Sequence, residues 1–236
     1  MGDWNTLHVF DDRRFHEETV PMLRGKKAGL EEHFSRFLET CVVPGHRDFD
    51  FEEVLLLFRQ FNADFTRHPE YEALVAQEGE TQFVRIHPRE FYIRRFFEFV
   101  VFAECASFFP HFQMGKTLFT GAVDVKQGDT AVTGLLDHLA YGYPNNPWMW
   151  DGDGIRAWVS AQDAKVMHDS GSIVPQEEEY AQYVEEFQRF LGVVTQNNLG
   201  LLSAVNLSAD RYEKSAPPLQ NEKLWKGVEL KYLIWP

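Results

Sequence analysis

The stretch FYIRRFFEFVVFAECASFF, residues 91–109, is apolar almost all round and is followed by Pro110. An apolar periphery is typical of a helix buried on every side, and proline ends helices because it has no amide to donate. We therefore expect a helix at 91–109 that runs through the centre of the core. Its two arginines and two glutamates are too many charges for a membrane span.

The segments on either side of 91–109 predict further helices and a few short strands. Apolar residues at every third or fourth position indicate helices, as do the capping residues Asp50, Asp129 and Ser160. The expected helices are 12–23, 30–41, 51–65, 69–76, 131–140, a short one from 161, and 180–191. The expected strands are 7–10, 81–86, 116–125, 201–205 and 228–235. We see no linker or repeat, so residues 1–236 are predicted to form a single α+β domain, mainly α-helical, with a small sheet of short strands around the central helix.

The chain is strongly acidic, with 23 basic and 36 acidic residues and a formal net charge of −13. The acidic residues are spread over the whole chain, so they do not form a tail. Such a field repels phosphate backbones and anionic lipid, and it favours a basic partner. We therefore expect no nucleic-acid or membrane binding, and a basic protein as the partner.

Cysteine usage and the first residues favour a soluble cytoplasmic protein. The two cysteines are Cys41 and Cys105, and their spacing matches neither a disulfide framework nor a zinc site. The first residues carry no basic region followed by an apolar stretch, as a secretory signal would. We therefore expect the protein to work in a reducing compartment.

Three motif-like segments fail when their spacing is checked. Residues 115–117 resemble the end of a phosphate-binding loop, but position 110 is proline where that loop needs glycine. Residues 152–157 match G-x-G-x-x-A but follow an irregular loop in place of a hydrophobic strand. Residues 151–154 are rich in aspartate, yet the positions that follow lack the ligands of an EF-hand. We expect no cofactor and no metal.

The segment 141–154 carries the strongest indication of a binding surface. Its proline, glycine and asparagine content disfavours regular structure, and irregular loops of this length are usually functional or disordered. Its aromatic residues argue against disorder, and aromatic rings beside carboxylates are the mixture used by ligand pockets and protein interfaces. The expected contact residues are Tyr141, Tyr143, Trp148, Trp150, Asp151 and Asp153. The alternative is that the two tryptophans only hold the loop on the core.

Glu104 is a candidate catalytic residue within the central helix. At about 100° per residue, it falls on the apolar side of the helix, opposite the stripe that carries the other charges. A carboxylate there must be paired, protonated or functional, because burying it alone is costly. The candidate partners are His111, Arg85 and Arg89, and a structural buried pair is the alternative to an acid–base role.

These features favour a binding or inhibitor protein that presents an acidic, aromatic loop to a basic partner. In surface chemistry this resembles the way an immunity protein holds a nuclease toxin. A small-molecule ligand is an alternative to a protein partner. The alternative is a hydrolase in which a carboxylate and a histidine act as acid and base or as metal ligands: Glu104 with His111, or Asp151 and Asp153 with His138. We favour binding because an interaction surface need leave no sequence motif.

Overall fold

The structure, a computed structural model, describes residues 4–43, 50–69, 88–115, 121–143, 146–150, 152–207, 219 and 221–236. The described α-helices are α1 (Asp12–Arg14), α2 (Val20–Leu23), α3 (Leu30–Cys41), α4 (Phe51–Gln60), α5 (Pro88–Glu104), α6 (Thr130–Tyr141), α7 (Ala161–Asp169), α8 (Ala181–Gln196) and α9 (Asn221–Leu224). The described strands are β1 (Asn5–Phe10), β2 (His111–Gly115), β3 (Val123–Val125), β4 (Met149–Trp150), β5 (Asp153–Val159), β6 (Ile173–Pro175), β7 (Gly200–Val205) and β8 (Leu233–Ile234). A π-helical turn, Phe15–Thr19, joins α1 to α2 in one continuous helical segment.

The strands form two antiparallel sheets. Six of them pair in the order β4-β5-β7-β1-β2-β8, and β3 pairs with β6 in a separate two-stranded sheet. The longest strands, β1, β5 and β7, lie next to one another, while the short strands β4 and β8 form the two edges. The predicted α+β class, rich in helix with a small sheet, is confirmed.

The six-stranded sheet separates two hydrophobic cores. Side chains alternate between the faces of a strand, so β1 sends Phe10 to the first core and Leu7 and Val9 to the second. Helices α2 to α5 supply the first core, and helices α6 to α8 supply the second. The sheet is therefore covered by helices on both faces.

Helix α5 lies in the first core, where Phe96, Phe97 and Val100 are fully buried. It ends at Glu104, whereas the sequence predicted an end at 109. The chain turns there because the Asp11 amide donates to the Cys105 carbonyl at 2.7 Å, so the residues after α5 are held against the end of β1.

The stripe of α5 that carries Arg94, Arg95 and Glu98 is buried. The helical pattern predicts that Glu104 lies on the more buried side, opposite this stripe, and that prediction is wrong. Arg94 donates to the Met149 carbonyl at 2.5 Å, and Arg95 pairs with Glu98 at 2.9 Å. Glu98 is only 1% exposed. These partners make the burial tolerable, because a buried charge without one is strongly unfavourable. Glu104, on the opposite side, keeps 20% of its side chain exposed.

Two other predicted elements are shorter in the structure. Helix α4 ends at Gln60 where an end at 65 was expected, and the predicted strand 228–235 is reduced to β8. Three predicted segments lie outside the described residues: the helix 69–76 apart from Pro69, the strand 81–86, and residues 116–120. Within the described ranges, no helix combines the length and the apolar character needed to cross a bilayer.

Candidate functional site

The predicted binding loop is held on the first core by its own residues. Asn146 donates to the carbonyls of Ile155 at 3.0 Å and Arg156 at 2.6 Å, and it accepts from the Trp148 amide at 2.8 Å. The Trp148 ring is 1% exposed and stacks on Phe97 with 3.7 Å between ring centroids. Trp148 therefore anchors the loop on the first core, which is the alternative that the sequence left open for the tryptophans.

The other expected contact residues take different positions. Tyr141 is 65% exposed. Tyr143 is half-buried, and its hydroxyl donates to the Trp158 carbonyl at 3.2 Å. Asp153 accepts from the Asn206 side chain at 2.7 Å. Asp151 and the side chain of Trp150 lie outside the described residues, so their contact role stays a prediction.

A tight turn at residues 62–67, which was not predicted from the sequence, faces this loop. Asn62 donates through Nδ2 to Thr66 Oγ1 at 3.0 Å and accepts at Oδ1 from the Arg67 amide at 2.9 Å. Asp64 Oδ1 accepts from the Thr66 amide at 3.1 Å and from its hydroxyl at 2.7 Å. Side chains therefore replace regular secondary structure in fixing the backbone of this turn.

Phe65, at the centre of the turn, has a φ of 62° and is completely buried. A bulky residue in the left-handed region is a backbone outlier, and such strain is typical of functional sites. The carbonyl of Phe65 accepts from Trp148 Nε1 at 2.6 Å, and its ring stacks on Phe97 at 5.7 Å. The buried ring and this hydrogen bond hold the strained conformation in place.

The sequence contained a signal for this turn that the helical pattern obscured. Phe61 and Phe65 continue the apolar spacing of α4, so this spacing predicts a helix that extends across both residues. Asn62 and Asp64 are turn-forming residues because their short side chains bond the nearby backbone. Asn62 and Asp64 lie two residues apart, and together they indicate that the helix ends before them.

The turn and the loop border a cleft of about 580 Å³. The described residues that line it are Asn62, Asp64, Thr66, Arg67 and Tyr143. This volume lies within the range of ligand-binding clefts. The turn that forms one wall is held by hydrogen bonds on several sides, so the cleft is preorganised.

The described lining of the cleft includes a carboxylate from Asp64, a guanidinium from Arg67 and an aromatic ring from Tyr143. Burial by itself would raise the pKa of Asp64, but hydrogen bonds from Thr66 and Asn62 outweigh it and hold the pKa below its usual range. Asp64 is therefore ionised at neutral pH. Burial raises the pKa of Tyr143, so its hydroxyl stays neutral.

His138 packs against Tyr143, and Asp151, one of the two carboxylates with which it was expected to act, lies outside the described residues. The two rings meet edge to face with 4.5 Å between centroids. Burial lowers the pKa of His138, although the Trp158 carbonyl and the nearby Asp163 act in the opposite direction. Asp153 bonds Asn206, so the structure gives no pairing of His138 with it.

Glu104 is paired, although with partners that the sequence analysis did not name. Its Oε1 accepts from His33 Nε2 at 2.6 Å, and its Oε2 accepts from Arg14 at 3.1 Å. The hydrogen bond from His33 is the largest influence on Glu104 and, with that from Arg14, it lowers the pKa of the carboxyl although burial opposes them. One partly buried carboxylate thus connects α1, α3 and α5.

His111, one of the three candidate partners of Glu104, lies instead beside His8, while Arg85 and the side chain of Arg89 lie outside the described residues. The two imidazole centroids are 5.4 Å apart, and His111 Nδ1 contacts the Phe108 carbonyl at 3.3 Å. Burial lowers the pKa of His8 to about 3 and that of His111 to about 4. Both imidazoles are therefore neutral at physiological pH.

The described part of the chain brings no three His, Cys, Asp or Glu side chains into one metal-binding group. Its two chemically distinctive arrangements are the cleft beside Tyr143 and the ion pairs of Glu104. The cleft can hold a polar or charged group, and the Glu104 cluster can hold or transfer a proton. Comparison with protein-family models, with curated proteins and with solved structures finds no match.

Proposed function

We propose that this protein is a binding or inhibitor protein for a basic protein partner, and that the cleft beside Tyr143 is its recognition site. The observation that carries the proposal is the cleft of about 580 Å³ between the 62–67 turn and the predicted binding loop. Its lining offers an ionised carboxylate from Asp64 and a partly exposed ring from Tyr143 on a preorganised backbone, with the exposed Arg67 as the opposing charge. The carboxylate and the ring supply the chemistry that recognises a cationic side chain.

The charge of the whole chain supports the same kind of partner. A net charge of −13 attracts a basic protein over a distance of about one Debye length and accelerates its association. Short-range contacts at an aromatic residue then supply the residence time. An inhibitor of a basic enzyme, acting as an immunity protein does, needs both of these properties.

The experiment is capture of a partner by the tagged full-length protein, at roughly 0.05 M and 0.5 M salt, from cells of the source organism. We expect a basic protein that is retained at low salt and released at high salt. Tyr143→Ala should lose this partner, whereas Trp235→Ala should keep it, because Trp235 is exposed beside β8 at the opposite edge of the sheet. Retention that does not depend on salt would contradict the electrostatic part of the proposal.

A second candidate function is hydrolysis with Glu104 and His33 as the acid–base pair. It is favoured by the 2.6 Å hydrogen bond between a partly exposed carboxylate and an imidazole, which is within the distance of a productive proton transfer. An assay with ester, phosphoester and glycoside substrates tests it. An activity that Glu104→Gln abolishes would favour this second candidate over binding.

A further inference from the structure

We propose that the cleft binds a guanidinium group, so that an arginine side chain of the basic partner lies between the Asp64 carboxylate and the Tyr143 ring. This inference rests on the proposed function and specifies the group that is recognised. Among the described lining residues, Asp64 supplies an ionised acceptor and Tyr143 an aromatic ring, and both border the same volume of about 580 Å³.

Asp64 retains acceptor capacity after its bonds within the turn are counted. Both hydrogen bonds from Thr66 end on Oδ1, and a weaker interaction with Asn62 also reaches the carboxylate. An ionised carboxylate has about four lone-pair positions, so Oδ2 keeps capacity for an incoming donor. A guanidinium presents several N–H groups in one plane, so it can use Oδ2 without displacing Thr66.

The Tyr143 side chain is held in a fixed position at the cleft. Its hydroxyl bonds the Trp158 carbonyl, and its ring packs edge to face on His138 at 4.5 Å and on Trp158 at 5.0 Å between centroids. The ring lines the cleft and is half-buried. A guanidinium can stack on an aromatic face and is more weakly hydrated than an ammonium, which favours arginine over lysine here.

The same turn already holds one guanidinium within the protein. Arg24 lies over the Phe65 ring at 5.5 Å and donates to the carbonyls of Phe61 at 2.8 Å and Asn62 at 2.5 Å. The turn therefore combines aromatic and oxygen acceptor surfaces that match a guanidinium. We infer the same mode of recognition in the cleft, with Tyr143 and Asp64 in the corresponding roles.

Arg67 is the group that opposes this ligand. It is exposed and lines the cleft with Asp64, so the local charge of the described lining is balanced. A cationic ligand gains from Asp64 and loses from Arg67. The two residues should therefore change affinity in opposite directions when each is neutralised, and a purely structural role for either residue would not produce this pattern.

The experiment is an NMR titration of the ¹⁵N-labelled full-length protein with N-acetyl-arginine amide at low salt. Its neutral isostere, N-acetyl-citrulline amide, is the control ligand. We expect shifts at Asp64, Thr66 and Tyr143 with the arginine derivative only. Asp64→Asn should weaken binding by about tenfold, as expected for the loss of a charge-assisted hydrogen bond. Arg67→Gln should strengthen it by about threefold at low salt, because a like charge is removed.

The variants are chosen so that the turn survives. Asparagine keeps an Oδ1 acceptor for Thr66, and glutamine at position 67 keeps the backbone amide that bonds Asn62. An unchanged resonance of the Trp148 Nε1–H, which bonds the Phe65 carbonyl within the turn, verifies this in the free variants. Equal binding of the citrulline derivative, or an affinity that Asp64→Asn leaves unchanged, would overturn the proposal. So would binding of free zwitterionic amino acids but not of the capped arginine.

Failure of this inference and failure of the proposed function give different results. If capped arginine does not bind but the captured partner still depends on Tyr143, the guanidinium proposal is overturned and the binding function stands. If the captured partner is independent of Tyr143, the cleft is not the recognition site and both proposals are overturned. Loss of the partner by Asp64→Asn, together with arginine binding, supports both.

Discussion

Trp148 Nε1 donates a 2.6 Å hydrogen bond to the carbonyl of Phe65 and thereby connects the predicted binding loop to the strained turn. Trp148→Phe keeps an aromatic ring on Phe97 but leaves this buried carbonyl without its donor. We expect a loss of about 1–3 kcal/mol in the free energy of unfolding, measured by denaturant titration. Trp235→Phe, at an exposed tryptophan, should change it by less than about 0.5 kcal/mol. Equal stability of both variants would contradict the role of the bond.

Glycine is required at position 154, the last residue of the binding loop, because the backbone of Trp148 in the same loop lies very close to it. A Cβ atom there would lie 2.2 Å from the Trp148 carbonyl oxygen, and φ is 124°. Gly154→Ala should therefore lower the free energy of unfolding by more than about 3 kcal/mol or prevent folding. Gly152→Ala is the matched control, because φ is also positive but no atom lies within 4 Å. It should cost only about 1 kcal/mol, and a similar cost for both variants would contradict the clash.

The ion pairs of Glu104 should contribute to stability. Glu104→Ala leaves His33 and Arg14 without their carboxylate, and we expect a loss of about 1–3 kcal/mol in the free energy of unfolding. Glu39→Ala, at an exposed position of α3, is the control and should change stability little. A double-mutant cycle with His33→Ala measures the coupling directly. An additive cycle would show that the 2.6 Å contact does not stabilise the fold.

The two buried histidines should make the protein sensitive to acid. The folded-state pKa values are about 3 for His8 and about 4 for His111, whereas the ordinary value is about 6.5. The unfolded chain therefore binds more protons below pH 6.5, so stability falls as the pH drops from about 6.5 towards 4. Each histidine contributes a slope of up to about 1.4 kcal/mol per pH unit.

Denaturant titrations between pH 4 and 8 check this prediction. His111→Gln should reduce the slope, because one of the buried titrating groups is removed. Trp235→Phe, which changes no titratable group at an exposed position, is the control and should leave the slope unchanged. A stability that is constant from pH 7 to pH 5 would show that the buried histidines do not govern the acid response.

Both hydrophobic cores should unfold together, as expected for a single domain. The strands β1 and β7 contribute side chains to the cores on both faces, so neither core is complete without the shared sheet. We expect one cooperative thermal transition by calorimetry and by circular dichroism. Limited proteolysis that produces two stable fragments would contradict the single domain.

Local patterns in the sequence were sufficient for most of the helices. Asp50, Asp129 and Ser160 each accept a hydrogen bond from the backbone at the start of a helix, as their capping role predicted. The apolar spacing at 30–41 matches α3 at both ends. These predictions succeed because caps and helical periodicity depend on residues only three or four positions apart.

In the binding loop, local sequence patterns do not predict which aromatic residue is buried. Its aromatic residues were recognised, but the sequence did not distinguish the anchor Trp148 from the cleft residue Tyr143. The difference arises because Trp148 enters the first core beside Phe97, whereas Tyr143 lies at the cleft boundary. An amphipathic ring satisfies either environment, so composition alone does not choose between them.

The α+β class, the helix starts and the presence of one buried helix were determined by the sequence itself, through short-range spacing and capping. The pairing of Trp148 with Phe65 and of Glu104 with His33 was decided only by the tertiary structure. These partners are 83 and 71 residues apart in the chain. Their contact depends on how the helices and the sheet pack, and each residue type has many alternative partners that satisfy the same hydrogen bond or charge equally well.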